Sequence, residues 1–538
     1  MTRARDLADS ADKDITGTLT LDGLTVAGNV SVDSGTVKLD GNYPTGSNNV
    51  ALGDTALDSL DGSSPGGSNT AFGSGALTAN TTASNNTAVG YQAAFSGTTA
   101  DNAVAVGRQA LYSATTGGQN VAVGSTAMYA TTGDSNVSLG TSTLRFNTSG
   151  SSNTAIGHQS LYSNSTATNN TAVGYQSLYS NTTGAVNTAF GQQALRANTT
   201  AFNNSAFGSA ALFANTTGQY NTGIGAQALA SNTTASSNTA VGYQAANSAT
   251  ESARNTVVGH QAGYSLSGSG NKNNVAMGYK SMYATTTGDN NSAYGAYSLD
   301  ANTTGANNTA VGYASLGANT TGTRNTASGY FSLNTITTAT DCTAMGYVAL
   351  RNNTGGDNNA FGSYALTANT SGTGNTAMGH VALDANTTAS FNTALGALSL
   401  TDNTTGTYNT AVGYGSLANN TTANESTAIG HKALETNTTG KENTAIGERT
   451  LQSNTTAHYN TAVGRAAMIS NTTGANNTAL GWKSLYSNTT ASSNTAVGRQ
   501  SGYSLTTGTH NVLLGHQSGY NITTGSKNVF LGNHNGNQ

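Results

Sequence analysis

The chain has 538 residues, of which 8% are charged and 36% apolar, with a formal net charge of −4. So little apolar surface leaves a chain disordered unless a strict repeat stacks its copies on one another. The sequence has no concentrated Lys/Arg stretch, as a nucleic-acid binder would need, no second cysteine to pair with Cys342, and no apolar window of about 18 residues to span a membrane.

Residues 1–48 differ from the rest of the chain, and we predict that they form an attachment segment. Residues 1–14 are the most charged part of the sequence and lack the apolar core of a secretory signal, so we interpret them as a docking peptide. In residues 15–41, apolar residues alternate between Asp-Gly and Gly-Asn turns, a pattern typical of short β-strands. We expect this segment to join the chain to other proteins of a larger assembly.

A repeat fills the remainder of the chain, residues 49–538. Twenty-nine glycines between Gly53 and Gly532 follow a short motif, most often Asn-Thr-Ala-Val-Gly. Of the 28 intervals between them, 24 are 17 residues long, two are 16, one is 19 and one is 20. So regular a period predicts an all-β fold, a parallel β-solenoid or β-roll of about 29 coils.

Three columns of the repeat predict its packing. The residue before each glycine is apolar in nearly every coil, Leu recurs four residues after the glycine, and we interpret both columns as core. Ala or Ser stands three residues after the glycine, which predicts close approach of a neighbouring backbone. Examples of the first column are Phe72, Val89, Val106, Leu139, Ile156, Phe190 and Met378; of the second, Leu77, Leu111, Leu161, Leu178 and Leu366; of the third, Ala76, Ala93, Ser160, Ser177 and Ala365.

The residue types of the repeat predict the local structure of most of each coil. Thr-Ala-Val predicts a short strand, and the glycine after it predicts a bend that no Cβ would tolerate. Asn-Thr-Thr-Gly predicts a turn with its glycine at positive φ. The intervening Tyr-Gln-Ala-Leu-Tyr-Ser is compatible with a second strand or with one helical turn, and the sequence does not decide between them.

Asn opens the strand in 26 of the 29 coils, the exceptions being Ala103, Cys342 and Ser426. Two interpretations stay open: an Asn ladder, in which side-chain amides bond from coil to coil, and a turn-forming Asn at each corner. On either interpretation Cys342 is a structural replacement for Asn and not a reactive thiol.

The spacing also predicts the shape of the molecule. Twenty-eight steps of about 4.8 Å give a rod on the order of 130 Å long. Residues 61–66 and 267–274 break the period and are predicted to be loop insertions. Because a 17-residue coil encloses little volume, we expect three copies to wind together as a homotrimer, with the small Ala columns facing the common axis.

The Asn-Thr-Ala-Val-Gly-Tyr-Gln-Ala-Leu coils resemble the repeats of phage tail-fibre and structural proteins. They are also similar to the head repeats of trimeric autotransporter adhesins, whose shorter turn runs Val-Ala-Ile-Gly-x-x-Ser/Ala. Residues 87–90 with Ala93 match that motif, whereas the Leu column and the Asn-Thr-Thr-Gly extension depart from it. The resemblance implies a left-handed, trimeric β-roll. Autotransporters carry a signal peptide and a membrane barrel, and because neither is recognisable here we expect a virion component.

The sequence offers no catalytic constellation. His158, His260, His380, His431 and His516 share the column after the glycine but never in adjacent coils, and the carboxylates are dispersed. We therefore predict no enzyme activity, cofactor or metal site. Tyrosine is the enriched aromatic residue, and its columns are either candidate surface-binding groups for host glycans or packing between coils. The candidate residues are Tyr91, Tyr112, Tyr129, Tyr162, Tyr175, Tyr179 and Tyr243.

Three functions follow as hypotheses. The first is a virion tail fibre, a rigid trimeric rod that contacts the host surface without inserting into a membrane. The second is a self-assembling extracellular filament or cell-surface adhesin, whose coil ends join one another. The third is ice binding through stacked threonines, such as Thr81–Thr82 and Thr199–Thr200.

Overall fold

The computed structural model describes residues 47–60, 66–533 and 535–536. Within them the chain winds as a parallel β-solenoid with about one three-residue strand per coil. The predicted attachment segment, apart from residues 47–48, and most of the 61–66 insertion lie outside the described residues. None of the described residues forms a helix long and apolar enough to cross a membrane.

Twenty-nine of the 31 described strands form a single parallel sheet, in which each strand pairs with the strand of the next coil. The register steps by one coil at a time, as in Thr171↔Thr188 and Ala172↔Ala189. The strands are β1 (Val50–Leu52), β2 (Thr70–Phe72), β3 (Thr87–Val89), β4 (Val104–Val106), β5 (Val121–Val123), β6 (Val137–Leu139), β7 (Thr154–Ile156), β8 (Thr171–Val173), β9 (Thr188–Phe190), β10 (Ser205–Phe207), β11 (Thr222–Ile224), β12 (Thr239–Val241), β13 (Ser252–Ala253), β14 (Thr256–Val258), β15 (Gly270–Asn271), β16 (Val275–Met277), β17 (Ser292–Tyr294), β18 (Thr309–Val311), β19 (Thr326–Ser328), β20 (Thr343–Met345), β21 (Asn359–Phe361), β22 (Thr376–Met378), β23 (Thr393–Leu395), β24 (Thr410–Val412), β25 (Thr427–Ile429), β26 (Thr444–Ile446), β27 (Thr461–Val463), β28 (Thr478–Leu480), β29 (Thr495–Val497), β30 (Val512–Leu514) and β31 (Val529–Leu531).

The irregular stretch at 267–274 does not interrupt the sheet. β14 pairs directly with β16 across it, so the main sheet continues from one coil to the next. The extra residues form β15, which pairs with β13 of the preceding coil as a separate two-stranded sheet. The insertion therefore stacks on its neighbour as a local extension of the coil.

The core lies inside each single coil and is built from small residues and one leucine. Leu178, Leu195 and Leu212 of the predicted Leu column are fully buried. The small column three residues after the glycine is buried with them, as are the central alanines of the strands, such as Ala172. Because these Ala and Ser columns fill the interior of one chain, the prediction that they face the axis of a trimer is wrong.

The apolar column before the glycine was also wrongly assigned to the core. Side chains alternate across a strand, so in Thr-Ala-Val only the central alanine points inward and its two neighbours point outward. Phe72 is 52% exposed and Met378 41% exposed. Val106 and Ile156 are partly exposed as well. The narrow interior of the coil holds the central Ala of each strand, and the larger apolar residues before the glycine form a column on the outside.

The glycine after each strand is required by close backbone packing. Gly174 has φ of 131°, and a Cβ on it would lie 2.5 Å from the carbonyl oxygen of Gly191 in the next coil. This confirms the predicted bend. The glycine of Asn-Thr-Thr-Gly behaves differently, because Gly184 has no positive φ. Instead Val186, just before the next strand-opening Asn, has φ of 59°, which corrects the predicted turn geometry.

The segment after the glycine is neither a second strand nor a helical turn. Gln176 and Leu178 have φ of 53° and 50°, so every second residue of this segment adopts the left-handed conformation. The Gln176 N–H donates to the carbonyl of His158 in the preceding coil, and the Leu178 N–H donates to Ala194 in the following coil. Inter-coil hydrogen bonds of the backbone therefore continue well beyond the three-residue strand.

Candidate functional site

The outer face of the sheet carries three parallel columns of side chains that are exposed or half-buried. Each strand contributes an outward Thr and an outward apolar residue, and the position after the glycine contributes a third column that is often Tyr. Phe190, Phe207 and Ile224 are about 40% exposed in three successive coils. The result is an apolar stripe that runs along the solenoid, bordered by hydroxyl groups.

Aromatic rings in the column five residues after the glycine stack directly on one another. The centroids of Phe95 and Tyr112 lie 5.1 Å apart, those of Tyr112 and Tyr129 lie 4.9 Å apart, and both pairs are parallel to within 9°. Tyr162 and Tyr179 stack in the same way at 5.0 Å. Four of the seven predicted surface tyrosines are thus brought together as two stacked pairs.

The other three predicted tyrosines lie in the column directly after the glycine and are far apart along the rod. Tyr175 stacks on His158 at 5.7 Å, and Tyr243 lies 5.1 Å from the ring of His260. Tyr91 is exposed between coils that place Ser74 and Arg108 at its position. The seven residues do not form one site.

The stacking limits what the paired tyrosines can bind. A sugar ring packs against the face of an aromatic side chain, and in these pairs each ring covers a face of its neighbour. The pairs present ring edges and hydroxyl groups to the solvent. The geometry favours packing between coils as the role of Tyr112, Tyr129, Tyr162 and Tyr179.

Two buried asparagine columns bond along the rod inside the coils. The strand-opening Asn170 donates its backbone N–H to Oδ1 of Asn153, and its Nδ2 donates to the carbonyl of Gly184. The asparagine of the Asn-Thr-Thr turn forms a direct amide ladder: Asn181 Nδ2 donates to Asn164 Oδ1 at 3.0 Å, and Asn198 Nδ2 to Asn181 Oδ1 at 2.9 Å. The strand-opening column is therefore a ladder of backbone N–H to side-chain Oδ1 bonds, with the predicted amide-to-amide bonds in only some coils. The continuous amide ladder lies in the turn column, where the sequence did not predict it.

Cys342 occupies the strand-opening column and is fully buried. Its N–H donates to Asn325 Oδ1 at 3.0 Å, as an asparagine's would, and its thiol lies 3.4 Å from the carbonyl of Gly355. Burial raises the pKa of the Cys342 thiol to about 11. A buried, protonated thiol is a poor nucleophile and a poor metal ligand.

Titratable groups are dispersed over the described residues, and no three His, Cys, Asp or Glu side chains there are grouped as metal ligands. The shortest ion pair joins Arg324 Nε and Asp341 Oδ1 at 2.6 Å. Hydrogen bonds from Arg324 and then Thr340 lower the pKa of Asp341 to about 2. Burial raises the pKa values of Asp300 and Asp384. These two carboxyls lie five coils apart, so they cannot act as an acid–base pair.

The concave surfaces of the described residues are open grooves between side chains. One of them has a volume of about 620 Å³ and is lined by small and amide side chains, among them Gln193, Gln227 and Gln244, beside Phe213. It contains no charged residue. This groove offers no group for acid–base or nucleophilic chemistry.

One cluster near residue 480 is not visible when the repeat is compared column by column. Lys483 and Arg499 both lie against Trp482, and Glu448 is the last carboxylate side chain in the sequence. A count of charge along the chain, rather than down each column, would have revealed it.

No protein-family model matches this chain, and a comparison with curated proteins finds no match.

Proposed function

We propose that the chain is the shaft of a phage tail fibre, a structural virion protein without enzymatic activity. The observation that carries the proposal is the continuity of the sheet: 29 strands pair in parallel, coil after coil. At about 4.8 Å per coil the sheet corresponds to a rod of roughly 130 Å. A rod of this kind holds a contact surface at a fixed distance from its attachment point.

Axial hydrogen bonds and ring stacking support stiffness. The two Asn columns bond from coil to coil in the interior, where bending would leave buried amides unpaired at a cost of about 1–3 kcal/mol each. Stacked rings add further axial contacts on the outside, as in Tyr486, Tyr503 and Tyr520 at 4.9 Å spacing. A shaft that transmits force or orientation needs this resistance to bending.

The apolar stripe supports a homotrimer. A stripe of exposed Val, Ile, Leu, Phe and Met along the solenoid is more than soluble single chains normally leave uncovered. Only a surface with the same coil spacing matches it along its length, and a second copy of the chain has that spacing. We propose that three left-handed copies pack through this stripe, with the Ala columns inside each chain.

Photo-cross-linking tests the trimer. A photoreactive phenylalanine analogue at Phe190 should cross-link to another copy of the chain, because this position lies in the stripe. The same analogue at Thr183, an exposed residue of the turn in the same coil, is the matched control and should give little cross-linking. Light scattering should give three times the 53.8 kDa chain mass. A monomer mass, or equal cross-linking at both positions, would refute the trimer.

The predicted alternatives give different outcomes. A self-assembling filament or surface adhesin would form particles that lengthen with concentration, whereas a fibre shaft keeps one length. Ice binding is the weakest of the three, because the first threonine of the turn is bonded to the backbone of the next coil in most turns. The hydroxyl of Thr199, for example, donates to the carbonyl of Thr216. The role of residues 1–48 as the attachment segment remains a prediction.

A further inference from the structure

The charge of the rod is distributed unevenly along its length. Residues 449–538 contain five Lys or Arg residues and no Asp or Glu, whereas residues 1–448 contain 14 Lys or Arg and all 23 carboxylates. One end of an otherwise acidic chain is therefore purely cationic. Such a surface raises the local concentration of anions in its neighbourhood.

The solenoid gathers most of these cations on one strip. The two positions after the glycine hold Arg449, Arg465, Trp482, Lys483, Arg499 and His516 in five successive coils, and we call this set the cationic strip. Arg449, Arg465, Arg499 and His516 are exposed. Neighbouring coils place these side chains about 4.8 Å apart along the rod.

Trp482 contacts two of the cations. The Lys483 ammonium lies 4.8 Å from the ring centroid of Trp482, and the Arg499 guanidinium lies 4.9 Å from it. Lys483 also lies 4.9 Å from the ring of Tyr486. These cation–π contacts offset part of the repulsion between the two charges and orient them before any ligand arrives.

Three charges of the strip lack a carboxylate partner. Arg465 pairs with Glu448 at 3.1 Å. Among the described residues no carboxylate lies within ion-pair distance of Arg449, Lys483 or Arg499. Arg499 also lies beside a histidine, which is cationic when protonated, because its Nη1 is 3.5 Å from Nε2 of His516. An anion bound here would gain charge-assisted hydrogen bonds without displacing a protein carboxylate.

We propose that the cationic strip binds an anionic polysaccharide, a linear glycan bearing sulfate or carboxylate groups. The proposal rests on the proposed function, since it names the chemistry of the host surface that the rod contacts. Guanidinium groups match the paired oxygens of sulfate and carboxylate. A linear chain of anionic sugars can follow the strip along several coils.

The strip is less suited to nucleic acid. Single strands are held largely by bases that stack on free aromatic faces, and here Trp482 is occupied by Lys483 and Arg499. Duplex binding draws on many phosphate contacts, whereas this strip offers three uncompensated cations on a chain of net charge −4. Charge recognition of a sparsely charged glycan fits the observations better.

Dextran sulfate and uncharged dextran are the probes, because they share one sugar backbone and differ in charge. The full-length chain should bind immobilised dextran sulfate, with binding weakened by added salt, and should not bind dextran. Lys483→Gln with Arg499→Gln should weaken binding about tenfold or more, since each removes a charge-assisted hydrogen bond. The double exchange Lys483→Arg with Arg499→Lys keeps both charges and should retain most of the binding.

Arg196→Gln with Lys280→Gln is the matched control. Both residues also lie over aromatic rings and the variant loses the same total charge, but they lie five coils apart, whereas Lys483 and Arg499 lie in adjacent coils. Its affinity should remain close to that of the wild type. Unchanged binding by the Lys483/Arg499 variant, an equal loss in the control, or tighter binding of duplex DNA would overturn the proposal. Rods that are trimeric yet fail to bind dextran sulfate would reject this inference and leave the shaft function intact.

Discussion

At the scale of single residues, two of the three exceptions in the strand-opening column, Ser426 and Cys342, show how the Asn ladder works. Each Asn accepts the N–H of its counterpart in the next coil through Oδ1, as Asn409 does from Ser426 at 3.0 Å. Ser426 keeps this role weakly, because its hydroxyl accepts the Asn443 N–H at 3.3 Å. Cys342 has only a sulfur to offer, and sulfur is a weak acceptor.

Restoring the ladder should therefore stabilise the coil around Cys342. We expect Cys342→Asn to slow hydrogen exchange in peptides covering residues 340–360, by an amount equivalent to about 1 kcal/mol for one recovered hydrogen bond. Hydrogen-exchange mass spectrometry measures this locally. Ser426→Asn is the control and should give a smaller gain, since its hydroxyl already accepts. A gain at Ser426 as large as that at Cys342 would contradict this explanation.

The Cys342 thiol also predicts a dependence of stability on pH. Because burial raises its pKa from 9.0 to about 11, the folded state keeps the thiol protonated where the unfolded chain would ionise it. Its contribution is complete below about pH 9 and is lost as the pH rises toward 11. Limited proteolysis between residues 340 and 360, followed from pH 8 to 10.5, should show a steeper rise in cleavage in the wild type than in Cys342→Ser, because it reports local opening of this coil. Parallel curves would mean that the thiol is accessible to water in the native state.

At the scale of the coil, the two kinds of glycine should respond differently to substitution. Gly191 has φ of 135° and a Cβ there would lie 2.5 Å from the Gly208 carbonyl oxygen, so Gly191→Ala should cost several kcal/mol locally. Gly184 has no positive φ, but a Cβ there would also clash with a backbone carbonyl oxygen, that of Ala201 in the next coil. Ala167 and Ala201 occupy the same column in neighbouring coils, so a coil can shift enough to hold a Cβ at this position. Gly184→Ala should therefore cost less than Gly191→Ala, which adds the strain of a positive φ.

Local hydrogen exchange and resistance to proteolysis around residues 184–208 would separate the two variants. Global unfolding curves are less informative, because a long repeat array can open one coil at a time. Equal tolerance of both substitutions would show that the coil spacing is looser than the structure indicates.

Much of the coil was predictable, because its period and its small residues impose their own packing. The Thr-Ala-Val strand, the bend at the following glycine and the buried Leu column were all correctly predicted from residue type. The column before the glycine was not, although it varies among Val, Phe, Met and even Ser328. Such variation in size is tolerated only outside a close-packed interior.

Local residue propensity could not predict which residues adopt the left-handed conformation. Leu and Gln seldom adopt positive φ, yet Gln176 and Leu178 do so here and in most equivalent coils. Stacking decides this, because these conformations direct N–H groups alternately to the coil below and the coil above. The candidate tyrosines were found by enrichment, but whether they stack or stand apart depends on which coils carry them.

At the scale of the whole molecule, coil spacing and charge give the rod a direction. The same outward face repeats at every coil, which suits assembly of identical chains along their length. Cations without nearby carboxylates, in contrast, lie together in residues 449–538, which suits contact with an anionic surface. We propose that these two features serve different tasks, shaft formation and attachment to the host.

Cryo-electron microscopy of the purified chain tests the central claim, that the repeat forms one rigid rod. We predict straight particles of one length, containing a sheet segment of about 130 Å with layers about 4.8 Å apart. Globular particles, flexible strings, or filaments of indefinite length would contradict the account.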